Sequence, residues 1–239
     1  MDNRTELSPG LLIQGFTPPL QLRDFKLIAF DMDSTLINIE CVDEIADCVG
    51  VKPQVAAITE AAMRGEIADY KSSLRQRVAL LKGVTTAQLQ QVLAERLRLN
   101  PGAQALVNAC KQAGLATLLV SGGFTFFSDH VCKTLGIDDA RANVLEIENG
   151  ALTGRLVNQE WGDICDGNEK RTMLLATCQR LGISPGQAIA VGDGANDLPM
   201  MGVAGLSVAY HAKPAVQAEA MVAINAGGLD RLLEVVRPA

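Results

Sequence analysis

The chain has 239 residues, 48% of them hydrophobic and 20% charged, with a formal net charge of −6. This is an ordinary globular composition, with room for one good core and a smaller second unit. The acidic balance argues against nucleic acid or anionic membrane as main partner, since both need a basic face, and no apolar run approaches the roughly 18–20 residues of a membrane span.

Residues 1–23 read as an N-terminal leader broken by Pro9, Gly10, Pro18 and Pro19. Its acidic start lacks the basic segment of a secretory signal, so a cytoplasmic location is expected. Short apolar runs at 26–30 (KLIAF), 115–120 (LATLLV), 187–191 (QAIAV), 205–209 (GLSVA) and 221–225 (MVAIN) read as strands. They do not alternate, as expected where both faces of a sheet are covered. Helical patterns separate several of them, for example at 102–113 and 169–181. The spacing predicts a doubly wound, mainly parallel α/β sheet. Residues 143–158 read as a hairpin turning at Glu148-Asn149-Gly150.

Between the first and second strands lies a helical insert, residues 41–99. Leu74, Val78 and Leu81 form one stripe and Leu89, Val92, Leu93 and Leu97 another. Asn100-Pro101-Gly102 marks the return. The expected division is therefore a leader (1–23), a catalytic core (24–40 and 100–239) and a helical cap (41–99). The cap would sit over the carboxyl end of the first strand, where ligands bind in open α/β sheets. Of the six cysteines none forms a Cys-x-x-Cys pair, and the two histidines lie far from them, so no zinc site is expected.

Polar signals follow the strands. Asp31 and Asp33 end the first, on one side if the chain stays extended. Two such close like charges repel unless a cation or a proton is shared between them. Ser121-Gly122-Gly123 follows the second strand, and Gly192-Asp193-Gly194-Ala195-Asn196-Asp197 the third. Lys170 lies near the start of a helix. In a parallel sheet all these groups emerge at one edge. A hydroxyl and glycine amides suit phosphate oxygens, a lysine suits the phosphoryl charge, and a carboxylate cluster suits Mg2+. Taken singly, each is a turn or a solvated lysine. In this order, each beside a strand or helix end, they point to phosphoryl transfer.

On Asp31-x-Asp33-Ser34-Thr35, Ser121, Lys170 and Asp193-Gly-x-Asn-Asp197 the chain resembles the haloacid dehalogenase superfamily of phosphatases. Glu40, MRGEIADYKSSLRQRVALL (63–81), VSGGFTFF (120–127), VGDGANDLPM (191–200) and AYHAKPAVQAEA (209–220) extend the resemblance to its phosphoserine phosphatases. The resemblance implies a Rossmann-like core with an inserted cap, and hydrolysis of O-phospho-L-serine as the last step of serine biosynthesis. It implies that Asp31 attacks phosphorus to form an aspartyl phosphate, with Asp33 as the acid and base. Mg2+ would be held by the Asp31 carboxylate, the Asp33 carbonyl and the Asp193 carboxylate, supported by Asp197. Ser121, Gly122 and Lys170 would hold the phosphoryl group, and Asn196 would face the substrate. Glu40 would meet the ammonium and Arg77 the carboxylate, with Met63 and Tyr70 as a lid. Arg75 rivals Arg77, because positions two apart on a helix diverge by about 200° and only one can aim inward. Tyr70 stands where the family usually has Phe, Ala68 reads as a one-residue insertion before it, and WGDICDGN (161–168) is atypical.

Three other readings stay open: a phosphotransferase passing the group to homoserine, a phosphatase for another small phosphomonoester, and a receiver-like phospho-Asp switch. Oligomeric state is not legible in the sequence.

Overall fold

The computed structural model describes residues 4–64 and 66–238. Eleven strands occur among them: β1 (Thr5–Ser8), β2 (Leu11–Ile13), β3 (Leu20–Gln21), β4 (Leu27–Phe30), β5 (Ala116–Phe124), β6 (Asp139–Glu148), β7 (Ala151–Val157), β8 (Ala188–Gly192), β9 (Leu206–Tyr210), β10 (Val222–Ile224) and β11 (Val236–Arg237). Nine form one sheet in the order β1-β2-β10-β9-β8-β4-β5-β6-β7. The six strands from β10 to β6 are parallel, with antiparallel strands added at both margins.

The central strands are apolar on both faces because both are covered. Every residue of β4, β8 and β9 is buried. Ile28 and Phe30 of β4 point into one apolar cluster, with Leu106 and Val107 of α5 (Ala103–Gln112) and Phe127 and Val131 of α6 (Thr125–Leu135). Leu27 and Ala29 point into a second, with Met173 and Leu174 of α7 (Gly167–Leu181) and Met200 of α8 (Leu198–Met201). Helices therefore cover both faces, the arrangement expected from the alternation of runs. The register aligns Phe30 with Leu119 of β5 and Val191 of β8. Asp31 and Asp193, just past the ends of β4 and β8, then lie at nearly the level of Ser121 in β5.

The insert contains α1 (Cys41–Cys48), α2 (Lys52–Met63), α3 (Tyr70–Ala79) and α4 (Thr86–Glu95). Asp69 caps α3 by accepting from the Ser72 N–H at 2.7 Å, and Thr85 with Gln88 forms a capping box on α4. The stripe expected at Leu74/Val78/Leu81 is buried, as are Leu89, Val92 and Leu97 of the second stripe, whereas its Leu93 is half-buried. The base of the insert is cross-tied: the Asn38 N–H donates to the Arg98 carbonyl at 3.0 Å, and the Asn100 amide donates to the Thr35 and Ile37 carbonyls at 2.8 and 3.0 Å. Its other support is the β6–β7 hairpin, where Gly83 and Val84 exchange main-chain hydrogen bonds with Leu152.

Three local readings change. The segment read as a leader holds β1 and β2, which extend the sheet beyond β10, with Leu11 and Ile13 in the core; β3 pairs with β11 near the C-terminus. The hairpin expected from residue 143 starts at Asp139, and its first residues pair with β5 as the sixth parallel strand. The second strand runs on to Phe124, so Ser121-Gly122-Gly123 lies in the end of β5 rather than in a following loop. Among the described residues no helix is long and apolar enough to cross a membrane.

Candidate active site

The first strand stops at Phe30, and Asp31 is held by its own N–H, which donates to the Val191 carbonyl at 2.9 Å. Residues Met32–Leu36 then form one wide turn, non-helical at Asp33 and Ser34 and closed by the Ile37 N–H on the Met32 carbonyl at 3.0 Å. Ser34 adopts φ 56, a left-handed conformation that costs a non-glycine residue energy. The turn brings Asp33 back to the side of Asp31. The shared orientation expected of an extended Asp-x-Asp is thus reached by a different backbone path.

Lys170 is the hub. Its Nζ, fully buried, lies 2.6 Å from Asp31 Oδ1 and 2.6 Å from Asp197 Oδ1. It sits in the first turn of α7, whose N-cap Asp166 accepts from the Glu169 N–H at 2.9 Å. The other oxygen of Asp197 accepts from the N–H groups of Asp193 and Gly194 at 3.1 and 3.0 Å. A Cβ on Gly192 would collide with this carboxylate, so the loop needs glycine there. Burial alone would weaken the lysine's hold on its proton, but the charges of Asp197 and Asp31 outweigh it and keep the amine protonated. Asp31 is pushed well above the usual carboxylate range, first by burial and then by the charge of Asp197. Asp193 is pushed up to about 7 by burial and then by the same charge.

Carboxylate oxygens of Asp31, Asp193 and Asp197 lie within 4.8 Å of one another. One lysine pairs with two of the three acids, Asp31 and Asp197, and among the described residues the Asp193 carboxylate has only a long hydrogen bond, 3.4 Å, from the Thr35 hydroxyl. This all-oxygen set is short of positive charge and fits a hard divalent cation. Asp197 already accepts hydrogen bonds on both oxygens, so Asp31 and Asp193 are the carboxylates free to ligate.

Asp33 accepts from the Cys41 N–H at 3.1 Å and the Cys41 thiol at 3.0 Å. Burial, then the charge of Glu40, pushes it up to about 7, and the Cys41 hydrogen bonds only partly offset this. A carboxyl group that exchanges its proton near neutrality suits acid–base work. Glu40 itself accepts from the Ser34 hydroxyl at 2.6 Å and is raised mainly by burial.

At the end of β5, the buried Ser121 hydroxyl accepts from the Gly123 N–H at 2.8 Å. Asn143 of β6 clamps this strand end. Its amide donates to the Gly122 carbonyl and accepts from the Cys165 N–H, both at 2.8 Å. A Cβ on Gly122 would strike the Tyr70 hydroxyl, so strand and insert meet with no room to spare.

These groups converge on one cavity of about 280 Å³. Asp31, Asp33, Ser121, Gly122, Asp193 and Asn196 line its core side, with Lys170 and Asp197 buried behind. Tyr70 and Arg77 line the insert side, with Glu40 at the junction, the N-cap residue of α1. The rivalry between the two arginines is resolved. Arg75 pairs with Asp163, which also takes Lys71 at 2.8 Å, whereas Arg77 faces the cavity with a buried Nε that has no hydrogen-bond partner. The Arg77 guanidinium lies 6.0 Å from the Tyr70 ring centroid. Met63 ends α2, but its side chain lies outside the described residues.

Sequence reading missed Asp43 and Thr59 of the insert, Cys41 beneath Asp33, the Asn143 clamp and Lys213, which also lines the cavity. Only Lys213 carried a signal, in AYHAKPAVQAEA. The others act through neighbours that folding supplies.

The family model for haloacid dehalogenase-like hydrolases matches residues 25–205. A phosphoserine phosphatase of Polaromonas sp. is 73% identical over 233 residues, covering 98% of this chain and 99% of that protein. One from Albidiferax ferrireducens is 72% identical over 234 residues, with the same two coverages. A solved structure of a substrate-bound phosphoserine phosphatase complex superposes with a TM-score of 0.80 at 36% identity, over 89% of this chain and 99% of that one. A pair of aspartates at a strand end, a buried lysine between two aspartates and a matching family model over most of the length agree: the chain belongs to the haloacid dehalogenase-like hydrolases.

Proposed function

We propose that the chain is a cytoplasmic Mg2+-dependent phosphatase that hydrolyses O-phospho-L-serine to L-serine and phosphate. In this reading residues 41–99 cap a catalytic core made of residues 24–40 and 100–239. The observation that carries it is one cavity lined by a lysine-bound Asp31, by Glu40 at the junction of core and cap, and by Arg77 of the cap. A carboxylate and a guanidinium match the ammonium and carboxylate of an amino acid, and the core side matches its phosphate. The names of the relatives support the same substrate.

An oxygen of Asp31 attacks phosphorus, the ester P–O bond breaks, and the departing serine oxygen takes the proton of Asp33. Asp33, now a carboxylate, removes a proton from water. The water oxygen attacks the same phosphorus, the aspartyl P–O bond breaks, and Asp31 is restored as phosphate leaves. Lys170, Ser121 and the Gly122 N–H hold the phosphoryl oxygens, while Asp197 keeps Lys170 in place. Asp31, Asp193 and the Asp33 carbonyl would hold Mg2+, which supplies neutralising charge to the transferring group. Asn196 and Tyr70 border the substrate.

The test is phosphate release from O-phospho-L-serine, with Mg2+ and with chelator, beside a panel of small phosphomonoesters and with homoserine as a competing acceptor. Mg2+-dependent turnover favouring phosphoserine is expected. Turnover of other esters without phosphoserine would discard the substrate, and transfer to homoserine would discard hydrolysis.

A further inference from the structure

The cavity is lined by five acidic side chains, those of Asp31, Asp33, Glu40, Asp43 and Asp193. Against them, two cations line it among the described residues: Arg77 and Lys213. Lys170 contributes from behind but is engaged by two aspartates. A phosphomonoester arrives as a dianion and must approach this acidic wall from solvent. Lys213 is the one lining cation that is exposed there, and its charge acts on Glu40.

An exposed lysine is ordinarily a mobile, solvated group on a surface it merely decorates. The backbone around Lys213 is not of that kind. His211 turns through φ 44 after β9, and its N–H donates to the Ile224 carbonyl at 2.8 Å. Its ring Nε2 lies 2.9 Å from the Gly227 carbonyl. The Ala212 carbonyl accepts from the Gln217 amide at 2.6 Å. The Lys213 N–H reaches the Asp193 carbonyl at 3.4 Å, and Pro214 fixes the direction of the short helix α9 (Pro214–Glu219) that follows. Each residue of this turn is tied down, the last of them to the loop that carries Asp193.

From this the geometry points to Lys213 as a substrate-recruiting residue: its main chain is fixed at the cavity lining, and the ammonium it carries there draws the phosphate dianion past the acidic side chains. The inference rests on the phosphomonoester reading above but not on serine as the alcohol. It acts on approach and binding, not on bond breaking. Any unit charge that comes within roughly 6–7 Å of a dianion in water shifts its binding about five- to tenfold at low salt, an effect that salt screens.

The experiment compares the wild type with Lys213→Ala and Lys213→Arg, all with Mg2+ and at several ionic strengths. Two readouts are taken: calorimetric binding of inorganic phosphate, which needs no turnover, and kcat and KM on the best substrate. Lys213→Ala is expected to weaken phosphate binding and raise KM about five- to tenfold at low salt, with kcat within about twofold. Its kcat/KM loses most of its dependence on ionic strength, and Lys213→Arg restores both quantities. Phosphate binding equal to wild type in Lys213→Ala overturns the inference, as does a fall in kcat at constant KM. If phosphoserine is not the substrate, the phosphate titration and another active ester still decide the role of Lys213. A loss seen with phosphoserine but not with an amine-free ester or with phosphate would assign Lys213 to the amino-acid end and overturn recruitment.

Discussion

Asp197 is not among the residues that line the cavity, yet its replacement should be among the most damaging in the molecule. It is fully buried and accepts three hydrogen bonds, from Lys170 Nζ at 2.6 Å and from the N–H groups of Asp193 and Gly194 at 3.1 and 3.0 Å. Asp197→Ala leaves two main-chain donors unpaired and removes one of the two counter-charges on a buried lysine. Removing one partner of a buried ion pair costs about 3–5 kcal/mol. Asp31 remains on Lys170, which puts the expected loss at the low end, about 3 kcal/mol. Asp197→Asn keeps an oxygen for the two N–H groups but turns an amide NH2 towards the ammonium, so about 2 kcal/mol is expected. Urea unfolding followed by circular dichroism measures both, as a lower midpoint with an unchanged slope. Under conditions where each variant is folded, kcat should fall as well, because Lys170 loses its fixed position. Asp197→Ala within about 0.5 kcal/mol of wild type would refute the reasoning, since a surface change does no more than that.

Other consequences follow from the same geometry. Asp31→Asn should abolish turnover while calorimetry still registers phosphoserine binding; normal turnover would remove Asp31 as nucleophile. Arg77→Ala should raise the phosphoserine KM about 10- to 100-fold, the equivalent of ~1.5–3 kcal/mol for a charge-assisted contact, and leave that of a carboxylate-free ester nearly unchanged. Asp33 is held at about 7 partly by the negative charge of Glu40. Glu40→Gln removes that charge and lowers the Asp33 value, so the alkaline fall of kcat/KM on an amine-free alkyl phosphate should move to lower pH. A move to higher pH would contradict this. Asp163 ties Lys71 and Arg75 of α3 to the segment before α7. Asp163→Asn should cost only ~0.5–1 kcal/mol, these groups being partly exposed, but should speed hydrogen exchange in α3.

The sheet was legible where burial on both faces writes an uninterrupted apolar run, as in LIAF and AIAV. It was not legible at Asp139–Ala142, where a parallel strand carries charges. Asp139 pairs with Arg180 and Arg141 with Glu169, so ion pairs rather than apolar contacts cover that edge. Residues 11–13 were missed for a different reason. Three residues are too few to show a period, and their partner β10 lies more than 200 positions away. In the site, the carboxylates, Ser121 and Lys170 were readable because motif spacing constrains them. The choice between Arg75 and Arg77 was not, because it depends on Asp163, which belongs to another segment. Asn143 offers no local sign at all: it matters only because β6 lies beside Gly122 and the Cys165 N–H approaches from the other side.

The proposed mechanism requires a phosphoryl group carried by Asp31. Protein mixed with O-phospho-L-serine and Mg2+, acid-quenched during turnover and digested, should yield one peptide bearing a single phosphoryl group. Fragmentation should place it on Asp31, and Asp31→Asn should lack it. Steady turnover with no phosphorylated peptide at any quench time, or with the group on another residue, would contradict the mechanism.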